Sequence, residues 1–135
     1  MKSLAVATAL LLSLTLVGCS DVEDLARDTA SDAACSVART AMDEAGDQAK
    51  QAVEGLDADP QAARRELTAL RDSLQALEGR VDGETGGKIT QAREALDKLV
   101  EQADAAREGT PVDDQAVADA EAELDTAVED FGNLC

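Results

Sequence analysis

The sequence predicts an all-α protein: an antiparallel up-down bundle of four helices, or of three if the first detaches. Three observations carry this expectation. Apolar residues recur at alternating three- and four-residue intervals in four separate stretches, the period of one helix face. No stretch alternates apolar with polar residues, and no β-branched run occurs. Alanine, the best intrinsic helix former, supplies 24 of the 117 residues from Cys19 onward.

One property pulls the other way. Leu, Ile, Val and Phe make up only 20 of those 117 residues. Such a share, with high net charge, falls below the roughly 20% at which disorder sets in. Periodicity decides the matter in favour of an ordered protein with a thin core.

The first stripe is Cys35, Ala38, Met42, Ala45, Ala49, Ala52 and Leu56. Upstream it fails, because the equivalent positions hold Ser31, Asp28 and Asp24. Residues 20–34 therefore read as an acidic tether or a frayed helical extension, outside the core. Asp59-Pro60 then marks a helix start, with Asp as N-cap and Pro at the first helical position.

The second stripe, Ala63, Leu67, Leu70, Leu74, Leu77 and Val81, is the most apolar of the four. Gly79, Gly83, Gly86 and Gly87 mark its end and a flexible connection. A third helix is expected from about Lys88 to Glu108, with Ile89, Ala92, Leu96, Leu99, Ala103 and Ala106 inside. Gly109 is a natural stop. Thr110-Pro111-Val112-Asp113 reads as N-cap, Pro at N1 and an acid at N3. The fourth stripe is Val117, Ala120, Leu124, Ala127 and Phe131. Short loops at 57–59 and 109–110 force neighbouring helices to run antiparallel. A long coiled-coil hairpin that oligomerises is the structural alternative, since the same spacing suits both.

The N-terminus has its own logic. Lys2 gives a positive start, Leu4 to Val17 is a 14-residue apolar run, and Leu16-Val17-Gly18-Cys19 closes it. Fourteen residues are too few to span a bilayer, which takes roughly 20. An ordinary secretory signal would end in an Ala-x-Ala-like site, which is missing at this point. The segment resembles the lipobox signal of bacterial lipoproteins, over residues 16–19 and their apolar lead-in. That resemblance implies residues 1–18 as signal peptide, cleavage before Cys19 and a diacylglycerol thioether on its sulfur. Two acyl chains give stable anchoring where one gives marginal binding. The implied address is the outer face of the cytoplasmic membrane, with residues 19–34 as acylated tether and 35–135 as the bundle. The rest of the chain resembles no recognised family.

With Cys19 acylated, Cys35 and Cys135 remain, and two thiols outside the membrane suggest a disulfide. Two free thiols, one of them buried as a small hydrophobe, are the alternative. Geometry favours the bridge. Cys35 to Leu56 is roughly 32 Å of helix, and Pro111 to Phe131 roughly 30 Å, at 1.5 Å per residue. If the first helix goes up and the fourth comes down, Cys135 returns to the level of Cys35. The loops at 57–59 and 109–110 then point away from the tethered end.

Charge bounds the partners. The chain carries a formal net charge of −17, and loss of Lys2 with the signal makes it −18. It should repel nucleic acid and anionic headgroups, so a charged protein partner should be basic. Beyond Arg107 there is no base, while nine acids follow from Glu108 to Asp130. Glu121, Asp125 and Glu129 stack at i, i+4 and i+8, an arrangement that repels. This is a solvated face or, more sharply, a docking face for a basic envelope protein or weakly held divalent cations.

Catalytic chemistry is hard to find. The chain has no His, Trp or Tyr, which removes His-based acid–base catalysis, His metal ligands and Ser-His-Asp arrangements. Gly83-Glu84-Thr85-Gly86-Gly87-Lys88 superficially resembles a phosphate loop. It has Asp82 where the first Gly is needed and Ile89 where Ser or Thr is needed. Asp57-Ala58-Asp59 lacks the remaining ligands and central Gly of a calcium loop. The expectation is a non-enzymatic binding or scaffolding module without cofactor or metal. The alternative is a small-molecule or cation carrier with a site between or on the helices. Aromatics would normally line such a cavity, and Phe131 is the only one.

Overall fold

The computed structural model describes residues 20–135, with side chains from Asp32 onward. Residues 1–18, expected to be a signal segment, and Cys19 lie outside the described residues. Four helices follow in order: α1 (Ser20–Glu54), α2 (Pro60–Glu78), α3 (Gly83–Arg107) and α4 (Asp114–Leu134). There is no strand among the described residues. Each helix packs against its neighbours in sequence, and α4 returns to pack against α1. The fold is the up-down four-helix bundle that the periodicity predicts.

The four apolar seams meet in one core. Met42 from α1, Leu67 and Leu74 from α2, Ile89, Leu96 and Leu99 from α3, and Leu124 and Phe131 from α4 are its large, fully buried members. No polar or charged residue is buried among the described residues. The contributions are unequal. The buried face of α1 is Ala38, Met42, Ala45, Ala49 and Ala52, with Leu56 in the turn beyond its end. Burial stabilises by roughly 25 cal/mol per Å² of apolar surface, so alanines give α1 far less hold than leucines give α2. Small residues also allow close approach: a Cβ built on Gly46 would lie 3.6 Å from Val128 Cγ2 of α4.

Helix α1 has no break between Ser20 and Cys35, so the tether predicted at 20–34 is a helical extension of the bundle. Asp32, Ala33 and Ala34 are exposed, which agrees with the failure of the stripe there. Asp59 caps α2, its side chain accepting from the Ala62 backbone N–H at 2.9 Å. At Gly109 (φ +79) the chain turns out of α3 as expected. The Gly109 N–H donates to Ala106 and the Thr110 N–H to Ala105, the Schellman pattern.

Two boundaries differ from the sequence reading. The third helix begins at Gly83, not near Lys88, so Gly83, Gly86 and Gly87 form its first turns, not a flexible connection. Three glycines cost helix propensity, about 1 kcal/mol each. The tight entry from α2 outweighs that cost: a Cβ on Gly86 would sit 2.6 Å from the Val81 carbonyl oxygen, so only glycine lets the chain fold back this closely. Gly83 itself takes φ +68 to enter the helix.

The second difference is at α4. Its N-cap is Asp113, not Thr110, with the Asp113 carboxylate accepting from the N–H groups of Gln115 and Ala116 at 3.0 and 3.1 Å. Thr110, Pro111 and Val112 form a connecting segment instead of a first turn. Val112 is drawn onto the core, and the Gln102 side chain accepts from the Asp113 N–H at 3.0 Å. Packing of Val112 decides where the helix can begin.

Candidate functional site

At one end of the bundle, the extension of α1, the α2–α3 turn and the C-terminus come together. Cys35 and Cys135 are joined there by a disulfide that spans 100 residues of sequence, with Cα atoms 5.6 Å apart. Both residues are half-buried and line a surface cavity of about 560 Å³ with Asp32, Arg80, Asp82 and Thr85. The loops that join α1 to α2 and α3 to α4 lie at the opposite end. The predicted pairing and its place in the bundle are both present.

The acidic face of α4 is more engaged than its sequence implies. Lys50 of α1 donates to Asp125 at 2.9 Å. Lys98 of α3 reaches Glu123 at 2.5 Å, and Lys88 of α3 reaches Asp130 at 2.7 Å. Bases absent from the fourth helix thus arrive from both neighbours. The Lys50 ammonium is held above its usual range by its hydrogen bond to Asp125, with Asp47 and Glu121 adding to the field. Glu123 does the same for Lys98. Of the predicted docking residues, Asp125 is paired and Glu121 is half-buried within the field of Lys50. Glu129 is exposed and makes no ion pair among the described residues. Three residues stacked on one helix therefore sit in three environments.

A second set of charges escaped the sequence reading. Along the α2–α3 interface Arg64 pairs with Asp104 at 2.5 Å and Arg71 with Asp97 at 3.2 Å. Thr90 donates to Glu78 at 2.8 Å, and Arg93 also approaches Glu78 at 3.4 Å. Positions 64, 71 and 78 on α2 thus oppose 104, 97 and 90 on α3, seven residues per step on both helices. The pairs form a polar ladder along one side of the α2–α3 contact, between two antiparallel helices. The repeat is present in the sequence, but it becomes a ladder only when the register is known. Burial alone would raise the Asp104 pKa; hydrogen bonds from Arg107 and Arg64 outweigh it and hold the carboxyl below its usual range.

The buried side chains of the four helices form one apolar cluster among the described residues. Phe131, the only aromatic residue, is fully buried in the core. Surface concavities of about 410 and 360 Å³ run along the α3–α4 groove, the first beside Lys88 and Asp130, the second beside Glu94 and Glu123. No three Cys, Asp or Glu residues gather to hold a metal ion among the described residues. Nor is any described helix long and apolar enough to cross a membrane.

No protein-family model matches the sequence, and neither curated proteins nor solved structures give a match.

Proposed function

We propose that the chain is a lipid-anchored cell-envelope protein. Cys19 carries the lipid, and the bundle works as a non-catalytic binding or scaffolding module on the outer face of the cytoplasmic membrane. One observation carries the reading: the Leu16-Val17-Gly18-Cys19 signal stands directly before the described part of α1, which runs unbroken from Ser20 into the bundle. A lipid on Cys19 would be coupled to the core through one continuous helix. From Ser20 to Cys35 that helix rises roughly 22 Å at 1.5 Å per residue, a spacer between membrane and bundle.

Two further features fit this address. A disulfide between Cys35 and Cys135 suits an oxidising compartment better than a reducing cytosol. The acid excess keeps such a body off anionic headgroups, leaving the lipid as the membrane contact. The single aromatic residue, buried in the core, favours a surface-binding role over a carrier with an aromatic-lined cavity.

The N-terminal peptide of protein extracted from the host's membranes tests the reading. It should begin at Cys19 and carry the mass of a diacylglycerol. An unmodified Cys19 in protein recovered from the soluble fraction would overturn the anchor.

A further inference from the structure

We infer that the Cys35–Cys135 disulfide is a reducible catch for α1: dithiol reduction loosens this helix locally while α2, α3 and α4 stay folded together. Three observations converge on it. The first is the asymmetry of the core. Among the described residues, helices α2, α3 and α4 supply every large, fully buried side chain except Met42, and polar ladders lace α2 to α3 and α3 to α4. The second is how little else holds α1. Its buried face is mostly alanine, and Lys50–Asp125, exposed to solvent on both sides, is its one ion pair to another helix among the described residues. The third is access. Both cysteines are half-buried and line the same surface cavity at the end of the bundle, the route by which an incoming sulfur would reach the bridge.

The chemistry balances with an external dithiol, either a small reagent or the Cys-X-X-Cys pair of a thiol–disulfide oxidoreductase. Its thiolate attacks one sulfur of the bridge, forms a mixed disulfide and releases the other cysteine as a thiolate, which takes up a proton. The second thiol of the reagent then attacks the mixed disulfide. The reagent leaves oxidised, and Cys35 and Cys135 are left as two thiols. Two electrons have passed from reagent to protein, and the 100-residue loop is open. Among the described residues, helix α1 is then held by Met42, its alanine seam and one exposed ion pair. The sides of α2 and α4 that it covers become available.

Hydrogen–deuterium exchange on the purified full chain, with and without dithiothreitol and no denaturant, reads the outcome helix by helix. The catch predicts at least tenfold faster exchange across residues 38–54 on reduction, with α2, α3 and α4 changed less than twofold. A variant with both Cys35→Ala and Cys135→Ala should match the reduced protein and ignore the reagent. Three results would overturn the inference. They are a bridge that resists dithiothreitol until denaturant is added, α1 protection unchanged after complete reduction, and loss of protection in all four helices together.

Discussion

Lys50 on α1 and Asp125 on α4 meet at 2.9 Å, both about half exposed, and form the only ion pair among the described residues that links α1 to another helix. The contact lies in the middle of the Glu121, Asp125 and Glu129 series, so the most acidic face of the protein already carries one internal cation. A basic partner docking there would meet Glu121 and Glu129 around an occupied Asp125. It would gain most from the outer two.

Changing Glu121 and Glu129 to Gln and Asp125 to Asn keeps side-chain shape and, nearly, helix propensity. It removes repulsion along α4 and one solvent-screened pair, so the thermal midpoint by circular dichroism should stay within a few degrees of wild type. If the face docks a basic protein, in-cell crosslinking should lose that partner, and binding by wild type should weaken as salt rises. Unchanged crosslinked species at unchanged yield would leave the face as solvation alone.

The entry to α3 gives a paired test. Gly86→Ala places a methyl against the Val81 carbonyl oxygen, which lies 2.6 Å from the ideal Cβ position, so it should destabilise despite the higher helix propensity of alanine. Gly87→Ala, one residue on, meets nothing within 4 Å and should stabilise by up to ~1 kcal/mol. Urea denaturation of both variants reads the opposite signs. Equal stabilisation would mean that residues 83–87 are not packed as described.

Helix α4 offers another. Asp113→Ala removes the acceptor for two N–H groups and should cost about 0.5–2 kcal/mol, while Thr110→Ala should cost little. The reverse order would restore Thr110 as the cap.

Much of this architecture is legible in the residues. The four seams, the Asp59 cap, the stop at Gly109 and the partnership of Cys35 with Cys135 follow from local spacing, element length and the return of the chain. What the residues withhold depends on neighbours distant in sequence. Gly86 reads as a flexible linker until Val81 is seen folded over it. Thr110 outranks Asp113 as a cap until Val112 is seen on the core. Arg64, Arg71, Asp97 and Asp104 are unremarkable charges until α2 and α3 are set in register. The acids of α4 are visible as a run, but which of them Lys50, Lys88 and Lys98 meet depends on a register that no local pattern reveals. Cys19, the residue on which the proposed address rests, is read from its signal alone.

The α2–α3 ladder carries a pH signature. The folded Asp104 pKa is lowered from 3.8, so the group contributes stability at pH above its unfolded value and loses it as pH falls through the folded value. Asp104→Asn should therefore be less stable than wild type near neutral pH, with the gap closing as pH is taken below 3.8. The carboxyl is partly exposed and screened, so the effect is modest. Urea midpoints of both proteins across that range check it. A gap that widens on acidification would contradict the assignment.

The core divides unevenly, and substitutions should show it. Leu74→Ala, at 1% exposure, should cost about 2–5 kcal/mol. Ala49→Leu, at a fully buried position in the α1 seam, should also destabilise, by about 1–3 kcal/mol, because the close approach of α1 leaves no room for a larger side chain. Chemical denaturation reads both. A neutral Ala49→Leu would mean that α1 stands off from the rest of the bundle.

The most direct test of the envelope account is metabolic labelling of the full chain with a clickable fatty acid in a bacterial host, comparing wild type with Cys19→Ser. The account predicts label on wild type in the membrane fraction, with loss of label and loss of membrane attachment in the variant. Equal label on both proteins, or membrane attachment that survives without Cys19, would contradict it.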